Sequence, residues 1–444
     1  MISSKKIILL LAILSCGRLF AQNSYSMKEA VGYAIENNLN IKNQKLEYLA
    51  TKKQNLEVLS IGFPKVDASA EYTNFFELPV SLLPGAIFGA PAGTFIPVKF
   101  GVPHNFKLSF GASQMIFDGR YFVGVKATKD LLKTADYAIT KVENDTRKNV
   151  SNAYIAALVA QESYKLVKEN KATLERILFE TRELYKQGFA EELDVNRLEL
   201  ALANLNTTIK DIENKSKNAK DALKFQMNIP VAEEIYLTEN LDTLIQNALP
   251  LIENANFNPQ DRIEYSLLSQ QKILLGYDVK QKNSGYYPGI YAFANYSVNA
   301  QRNKFNFFNK DPWYRQGVWG LTMKIPIFDG LSRYASVEQA KIKELEAANN
   351  LENFTNGAKL QASVAQNNYA SALEALQDQK ANLALANKIN NKMKVMFKEG
   401  VGNSLALSQS DADMVTAQLN YIQAVYNLLT SKIELQSALG KLNQ

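Results

Sequence analysis

The chain contains 444 residues and has a formal net charge of +6, one histidine and one cysteine. Its only histidine, His104, cannot by itself provide a zinc site or a histidine-based catalytic triad, and no phosphate-binding glycine loop is present. Because bases and acids alternate along the chain, the composition also excludes a basic stripe for nucleic acid, and we expect neither an enzyme active site nor a metal or cofactor.

Residues 1–21 have the features of a secretory signal peptide. Basic residues precede the apolar run 7–14, and Ala21 offers a small residue at a cleavage site before Gln22. The apolar run is too short to span a bilayer as a helix. We therefore expect an exported chain that begins at Gln22 and lies beyond the inner membrane.

Cleavage would also remove the only cysteine, Cys16, so no disulfide is expected in the mature protein. Lipidation at Cys16 is the alternative, because Ile13-Leu14-Ser15-Cys16 faintly resembles a lipobox, but the bulky Leu14 disfavours it. Loss of the bases Lys5, Lys6 and Arg18 would lower the net charge from +6 to +3. No later apolar run is long enough for a transmembrane helix, but the sequence still allows a transmembrane β-barrel.

The chain contains one long internal repeat. The tetrapeptide Ile-Phe-Asp-Gly occurs at residues 116–119 and again at 327–330, each time after an alternating segment and before a long helical one. Pro64 and Pro288 also precede similar strand-like segments. The displacement is 224 residues for the prolines, 211 for the tetrapeptide and 212 from Gly188 to Gly400, so the helical parts keep almost one length and the loop between the strands does not.

Each of the two repeats, residues 22–230 and 231–444, contains one predicted β-hairpin. The paired strands span about 65–76 with 105–117 and about 288–299 with 315–328. These lengths suit a tilted strand that crosses an outer membrane, which needs roughly 9 to 11 residues. Alternation of apolar and polar side chains along the strands is the pattern of a barrel with a wet interior.

The polar face of these strands is predicted to line the barrel lumen. Tyr291 and Phe293 make this face less regular in the second repeat. A half-buried sheet on a soluble protein would explain one such hairpin, but a lone four-stranded sheet with an apolar outer face would leave two edges unprotected. We therefore expect three chains to share one barrel of twelve strands. The predicted lumen residues are Asp67, Ser69, Glu71, Lys107, Ser109, Thr322 and Lys324.

The connections inside the two hairpins differ in length. Residues 77–104 are long and unusually apolar, whereas residues 299–315 are shorter and rich in aromatic side chains. Long loops at one end of an outer-membrane barrel usually face outside. We expect these loops to fold over the pore mouth or to contact lipid or a partner.

The paired tetrapeptides are predicted to form the junction between barrel and helices. Each aspartate is expected to cap the helix that follows, and each glycine to ease the bend. A structural role is favoured over a chemical one. The junction residues are Phe117, Asp118, Gly119, Phe328, Asp329 and Gly330.

Two very long helices follow the junctions. Neither 120–187 nor 331–399 contains a proline, and each contains one glycine, which predicts helices on the order of 100 Å long. Their apolar and small residues recur at steps of three and four, as in coiled coils. The seam positions are Ala153, Ala156, Ala160, Ser163, Val167, Asn170, Leu174, Ile177, Thr181 and Leu184, then Ala362, Ala365, Tyr369, Ala372, Leu376, Gln379, Leu383, Ala386, Asn390, Met393 and Phe397.

Each long helix is predicted to turn back at a glycine-containing tip. Gly188 and Gly400 can end the first helices in the left-handed conformation, and Asp194 and Ser404 are predicted N-caps of the returning helices. The returning helices are expected to end near residues 226 and 439. The long helix and its return would form a helical hairpin in each repeat, over about 119–226 and 330–440.

The duplication, the two strand hairpins and the first tip together resemble the TolC family of outer-membrane export ducts. Tyr185-Lys186-Gln187-Gly188 with Asp194-Val195 is similar to the family's tip pattern. The resemblance covers nearly the whole mature chain. It implies a mixed α and transmembrane β fold, in which a homotrimer builds one twelve-stranded outer-membrane barrel that continues as a periplasmic helical tunnel.

The resemblance also implies a function and partners. Such a duct is passive and carries substrates of a tripartite efflux or type I secretion system from an inner-membrane pump, of RND or ABC type, to the outside. A periplasmic adaptor protein would dock on the tips and connect the duct to the pump. The residues implied in docking are Tyr185, Gly188, Asp194, Val195, Phe397, Gly400, Asn403 and Ser404.

The second tip departs from the family pattern. Phe397 replaces a tyrosine, Gly402 replaces an arginine, and Ala406 and Gln409 replace two aspartates. The latch and acidic ring that close some relatives are therefore not supported here. A structural or adhesive coiled-coil protein of the envelope is the alternative function, but it leaves the duplicated strand hairpins without a purpose.

Overall fold

The computed structural model describes residues 23–248 and 257–442. The predicted signal peptide, Cys16 and Gln22, the predicted first residue of the mature chain, lie outside the described residues. Two compact units are formed, one by the described residues within 1–48, 134–269 and 349–444, and the other by residues 49–133 and 270–348. Within the described ranges, no helix combines the length and hydropathy needed to cross a bilayer.

The elements of the first repeat begin with a short strand and two helices that precede the predicted hairpin. They are β1 (Ser24–Tyr25), α1 (Met27–Asn37), α2 (Leu39–Ser60), β2 (Lys65–Asn74), β3 (Val80–Pro84), β4 (Phe95–Lys99), β5 (His104–Phe117), α3 (Gly119–Lys186) and α4 (Glu192–Met227). A 3₁₀ turn, Gly85–Phe88, joins β3 to β4. The predicted loop 77–104 therefore contains a small hairpin of its own.

The second repeat has the same order of elements without that small hairpin. Its elements are β6 (Tyr236–Leu237), α5 (Leu241–Ala248), α6 (Ile263–Ser284), β7 (Gly289–Arg302), β8 (Tyr314–Lys324), α7 (Ser332–Lys398) and α8 (Ser404–Ala438). A 3₁₀ turn, Pro259–Asp261, precedes α6. The 22-residue helices α2 and α6 begin 224 residues apart, so the duplication extends to elements that sequence patterns did not reveal.

The second unit contains a four-stranded antiparallel sheet with the order β2-β5-β7-β8. Ala68 pairs with Phe110 in the first hairpin, and Ala292 pairs with Leu321 in the second. The second pair is the first pair displaced by 224 and 211 residues, so the duplication preserves the hairpin register. Pairing of β5 with β7 joins the two repeats into one continuous sheet.

Three strand ends differ from the prediction. β2 ends at Asn74 instead of residue 76, and β7 continues to Arg302 instead of residue 299. β8 ends at Lys324, four residues before the predicted end, because Pro326 has no N–H to donate to the ladder. Consequently the second tetrapeptide follows an irregular segment and not a strand.

The first unit is held together by a core in which both repeats take part. The parallel pair β1 and β6 joins Ser24 to Tyr236, and the buried Tyr154 of α3 donates a hydrogen bond to the Tyr25 carbonyl (2.9 Å). Apolar residues of α1, α3, α4, α5, α7 and α8 complete one buried cluster. The core therefore assembles the repeats across large sequence separations.

The predicted heptad seam agrees closely with burial in α7. Its positions 362, 365, 369, 372, 376 and 390 are buried, and the intervening seam positions are half-buried. In α3 the seam agrees from Val167 to Thr181, but Ala153, Ala156 and Ala160 are only half-buried, and Leu184 is exposed. There the buried residues are Tyr154, Ile155, Ala157 and Leu158, because α3 also belongs to the cluster with α1 and α5.

Arg262 is a buried cation of the first unit with several hydrogen-bond partners. Its Nε donates to Glu264 (3.1 Å), while one Nη donates to Gln361 of α7 (3.0 Å) and to the Ala438 carbonyl of α8 (3.3 Å). Only 9% of the Arg262 side chain is exposed. Burial raises the pKa of Glu264, but the hydrogen bond from Arg262, a backbone hydrogen bond and the positive charges of Arg262 and Lys141 together keep it below its usual value. One side chain thus connects the start of α6, the interior of α7 and the end of α8.

Candidate functional site

The sheet of the second unit has one polar and one apolar face. The register places all seven predicted lumen residues on the same face, in rows that cross neighbouring strands. Ser69, Ser109 and Ser297 form one row, and Glu71 lies opposite Lys107 in the next. This face offers hydroxyl, amide and charged groups of both signs, which can hydrate a passage but form no catalytic constellation.

The opposite face is apolar, and many of its side chains are exposed in the single chain. Val66, Phe110, Trp319, Leu321 and Met323 lie on it and are exposed. Ala112, Ala294 and Trp319 follow one another across β5, β7 and β8, so the apolar surface is continuous. A surface of this kind requires a partner or a lipid environment.

Tyr291 and Phe293, the aromatic residues that make the polar face less regular, have structural roles. The Phe293 ring lies on Gly320, where an added Cβ would come within 2.9 Å of the ring. The Tyr291 hydroxyl donates to the Asp118 carboxylate (2.9 Å). One ring therefore packs on a glycine and the other donates a hydrogen bond, and the face as a whole remains polar.

Asp118 holds the first junction through a network of hydrogen bonds. Its Oδ1 accepts the backbone N–H (2.9 Å) and Nε (3.1 Å) of Arg120, and its Oδ2 accepts Arg120 Nη2 (2.7 Å) and the Tyr291 hydroxyl. The contact with Arg120 lowers the pKa of Asp118 to about 2. Asp118 thus connects the end of β5, the first turn of α3 and β7. The sequence indicated the cap but gave no sign of Tyr291, which lies far away in the chain.

Asp118→Asn is expected to remove a pH-dependent part of the stability. Because the pKa of Asp118 is lowered to about 2 in the folded protein, its contribution is complete above its unfolded value and is lost as the pH falls from about 4 to about 2. We expect a cost of about 1 kcal/mol at pH 7, since Arg120 is largely exposed, and a vanishing difference near pH 2. Thermal unfolding followed by circular dichroism at both pH values measures this.

The matched control is Asp145→Asn, which removes an exposed i,i+4 partner of Lys141 on the same helix. A loss for Asp118→Asn that is equal at pH 7 and pH 2 would contradict the assigned role of its charge.

The second junction is built differently. Asp329 accepts hydrogen bonds from the backbone N–H (3.2 Å) and Nε (2.6 Å) of Arg333, and the guanidinium lowers its pKa. Gly330 and Leu331 both have positive φ, of 66° and 68°. The left-handed conformation is costly for a leucine, whereas the glycine adopts it freely. The expected bend is therefore present here, while Gly119 of the first junction begins α3 directly.

Both tips turn at the predicted glycines, with φ of 79° at Gly188 and 75° at Gly400. The two predicted N-caps are wrong by one position or more. Glu191 caps α4 and its N–H donates to Asp194 at the third helical position (3.4 Å), and Asn403 caps α8 by accepting the Ala406 N–H (2.8 Å). The chain is already extended at Glu191 and Asn403, so each helix starts earlier than predicted.

Asp194 and Ser404 instead connect the two tips. The Ser404 hydroxyl donates to Asp194, and Arg197 donates to the same hydroxyl (3.4 Å). Ser404 is fully buried, so this contact is shielded from water. The two helical hairpins of one chain are thus joined where both turn.

An apolar cluster supports the tips. It contains Leu174, Ile177, Leu178, Val195, Leu198 and Leu407, and Phe397 packs against it. Phe397 therefore contributes apolar contact where a tyrosine would offer a hydroxyl. A side chain at Gly402 would meet the backbone of Phe397 and Met396 at about 3 Å, so this turn has no room for an arginine.

Several exposed apolar side chains surround the turns, and sequence patterns did not single them out. Phe189 is 80% exposed and Val401 is 72% exposed, and Leu193 and Leu405 are also exposed. Tyr185 is partly exposed beside them. A groove of about 420 Å³ lies between the hairpins, lined by Asn170 and Arg197 on one side and by Lys394 and Asp411 on the other.

The loops at the far end of the sheet form an aromatic cluster around His104. The Tyr72 hydroxyl shares a hydrogen bond with His104 Nδ1 (2.8 Å), and Phe305 and Phe307 pack edge-on against Tyr72. No group of three or more metal-binding side chains occurs among the described residues. The imidazole of His104 is therefore packed among aromatic side chains.

Comparison with known proteins gives one consistent family. A family model described as outer membrane efflux protein matches residues 31–228 and 274–441. The outer membrane protein TolC of Vibrio cholerae serotype O1 is 22% identical over 349 residues, covering 75% of this chain and 76% of that relative. The residues matched by the family model include both helical hairpins and all four strands of the large sheet.

Solved structures agree with this match. The crystal structure of CusC superposes with a TM-score of 0.76 at 15% identity and covers 94% of this chain and 92% of its own. The open state of the Neisseria gonorrhoeae MtrE outer membrane channel gives 0.73 at 14% identity, with coverages of 93% and 88%. At these identities the likeness establishes the fold, including the predicted combination of strand hairpins and long helical hairpins.

Proposed function

Because this chain belongs to the outer membrane efflux protein family, we propose that three copies form the passive outer-membrane duct of a tripartite efflux or secretion system. Membership makes the protein an outer-membrane efflux channel, and the family is one of channels and not of enzymes. A non-transporting coiled-coil protein of the envelope is not favoured. The proposal of a duct formed by three copies rests on the sheet, which has one polar and one apolar face.

The trimer follows from counting strands. The described part of the chain contributes four strands to its large sheet, and known single-chain barrels begin at eight. Among the residues that the structure describes, the outer strands β2 and β8 each leave one edge unpaired. Three chains provide twelve strands, which leaves a passage wider than a side-chain-filled core. Polar residues such as Ser109 would then face water, and Phe110 would face lipid.

The tips are the proposed docking site for a periplasmic adaptor. Exposed apolar side chains at a helical turn, including Phe189 and Val401, suit burial against a helical partner. Within the described residues we find no metal-binding cluster and no phosphate loop that could supply energy. An inner-membrane pump of RND or ABC type, reached through the adaptor, would therefore drive transport and select the cargo.

Electrical recording and mass measurement test this function together. We expect the purified protein, exported through the signal peptide proposed at residues 1–21, to have a trimeric mass and to conduct ions in a planar bilayer. Absence of conductance from a monomeric or dimeric preparation would overturn the duct in favour of the structural coiled-coil alternative.

Gly188→Val and Gly400→Val test the role of the tips. A β-branched residue in the left-handed conformation costs about 1 to 2 kcal/mol, so each change should distort the turn and weaken adaptor coupling. The measurement is drug sensitivity of a deletion strain that carries each variant, together with recovery of the adaptor in pull-downs.

Gly357→Val is the matched control, since this glycine lies within α7, has no positive φ and would place its Cβ in open space. Unchanged drug sensitivity and unchanged adaptor recovery in both tip variants would contradict a docking role.

A further inference from the structure

The two unpaired edges of the sheet have a defined relation to a contact that already exists inside the chain. β5 pairs with β7 and thereby joins repeat 1 to repeat 2. β8 is the counterpart of β5, and β2 is the counterpart of β7. In a ring of chains, β8 of one chain therefore meets β2 of the next in the position that β5 and β7 occupy within the chain. This step rests on the trimer proposed above.

The register of that internal contact can be transferred to the contact between chains. Adding 224 to the β2 residue numbers and 211 to the β5 residue numbers turns each pair of the first hairpin into an observed pair of the second hairpin. In the internal contact Phe110 pairs with Tyr296 and Ala112 pairs with Ala294. Adding 211 to the β5 residue numbers gives Leu321 for Phe110 and Met323 for Ala112. Subtracting 224 from the β7 residue numbers gives Tyr72 for Tyr296 and Ala70 for Ala294.

We propose that β8 pairs antiparallel with β2 of the neighbouring chain, with Leu321 opposite Tyr72 and Met323 opposite Ala70. Each copy then closes the barrel by repeating between chains the register found between its own repeats. The transfer uses only the displacements and the observed pairs, so it predicts a single register.

The faces and charges of the two edges are compatible with this register. Leu321 and Met323 meet Tyr72 and Ala70 on the apolar face, because the transfer preserves the alternation of the side chains. A slip of one residue would bring Leu321 opposite Glu71 and move a whole strand to the wrong face. A slip of two residues keeps the faces and is the competing arrangement.

The charges of the polar face are compatible with the transferred register, although they do not separate it from a slip of two residues. Lys324 would lie opposite Ser69 of the neighbouring chain and diagonal to both Asp67 and Glu71. Diagonal neighbours across a strand pair are about 7 to 8 Å apart at Cα, within reach of a lysine side chain. One cation thus lies between two carboxylates at each contact between chains.

Disulfide cross-linking tests the register directly. In a Cys16→Ser background, the double variant Met323→Cys with Ala70→Cys is expected to form interchain disulfides after oxidation, giving covalent dimers and trimers on a non-reducing gel. Directly opposite Cβ atoms lie close enough to be bridged, whereas diagonal ones do not. Met323→Cys combined with Ala68→Cys or with Tyr72→Cys reports the two-residue slips, and we expect at least about fivefold less product from either.

The chain supplies a matched positive control. Ala112→Cys with Ala294→Cys places cysteines at the internal counterpart of the proposed pair, and it is expected to oxidise within one chain without a change in oligomeric mass. A trimeric preparation in which the internal pair oxidises but Met323→Cys with Ala70→Cys does not, or in which an off-register pair reacts better, would overturn the register alone. A monomeric preparation without interchain product would overturn the proposed assembly and the register with it.

Discussion

Phe110→Lys should destabilise the membrane-inserted protein by about 2 to 4 kcal/mol and sharply reduce the yield of trimer. Phe110 lies near the middle of β5 on the apolar face, and it is exposed in the single chain. If this face meets lipid, a lysine there must be desolvated in hydrocarbon, and the penalty is greatest at the midplane of the bilayer. Leu321→Lys on β8 should behave in the same way.

The preceding residue provides the control. Ser109 differs from Phe110 by one position and lies on the opposite face, paired with Ser69 and Ser297. Ser109→Lys should leave the trimer yield nearly unchanged and shift the ion selectivity of the channel. Trimer yield in the outer-membrane fraction and unfolding in urea measure both variants. A normal yield for Phe110→Lys with a loss for Ser109→Lys would show that the two faces were assigned in reverse.

Arg262→Ala should cost about 3 kcal/mol, because removal of one partner leaves a buried ion pair uncompensated. The change also leaves the Gln361 side chain and the Ala438 carbonyl without their donor. The lower end of the usual range applies, since Glu264 retains some exposure. Chemical unfolding followed by circular dichroism gives the free energy of unfolding.

Two variants separate loss of charge from loss of packing. Arg176→Ala removes an exposed i,i+4 partner of Glu180 and should cost less than about 1 kcal/mol. Arg262→Met combined with Glu264→Leu keeps apolar volume without an unpaired charge, and it should recover part of the stability. If Arg262→Ala is no more destabilising than Arg176→Ala, the proposed connection of three segments is wrong.

The parts of the fold that could be predicted are those that depend on local chemistry. Alternation along β2 and β5 identifies their faces because side chains of a strand point to opposite sides in turn. Glycines at residues 188 and 400 identify the tips because few other residues accept a positive φ. Because the chain is duplicated, each local pattern in one repeat is supported by its counterpart in the other.

Other parts depend on contacts between distant residues, which local patterns do not record. Helices α2 and α6 were not predicted, since apolar residues are distributed around α2 without a single stripe, and Leu46, Leu49 and Leu56 are exposed. The caps were misplaced because each tip offers neighbouring capping residues, and the backbone alone decides between them. The partnership of Tyr291 with Asp118 requires the pairing of β5 with β7, which no local motif encodes.

The hairpin β3–β4 distinguishes the two repeats, because the connection between β7 and β8 contains no equivalent among the described residues. In a trimer, the wall of the barrel would therefore repeat six times around its axis, while its outer rim would repeat only three times. A rotation by one sixth of a turn would superpose each strand hairpin of the wall on the hairpin of the other repeat. The loops that connect the strands of these two hairpins are different. An antibody or phage protein that recognises β3–β4 would thus bind at a ratio of no more than three per channel.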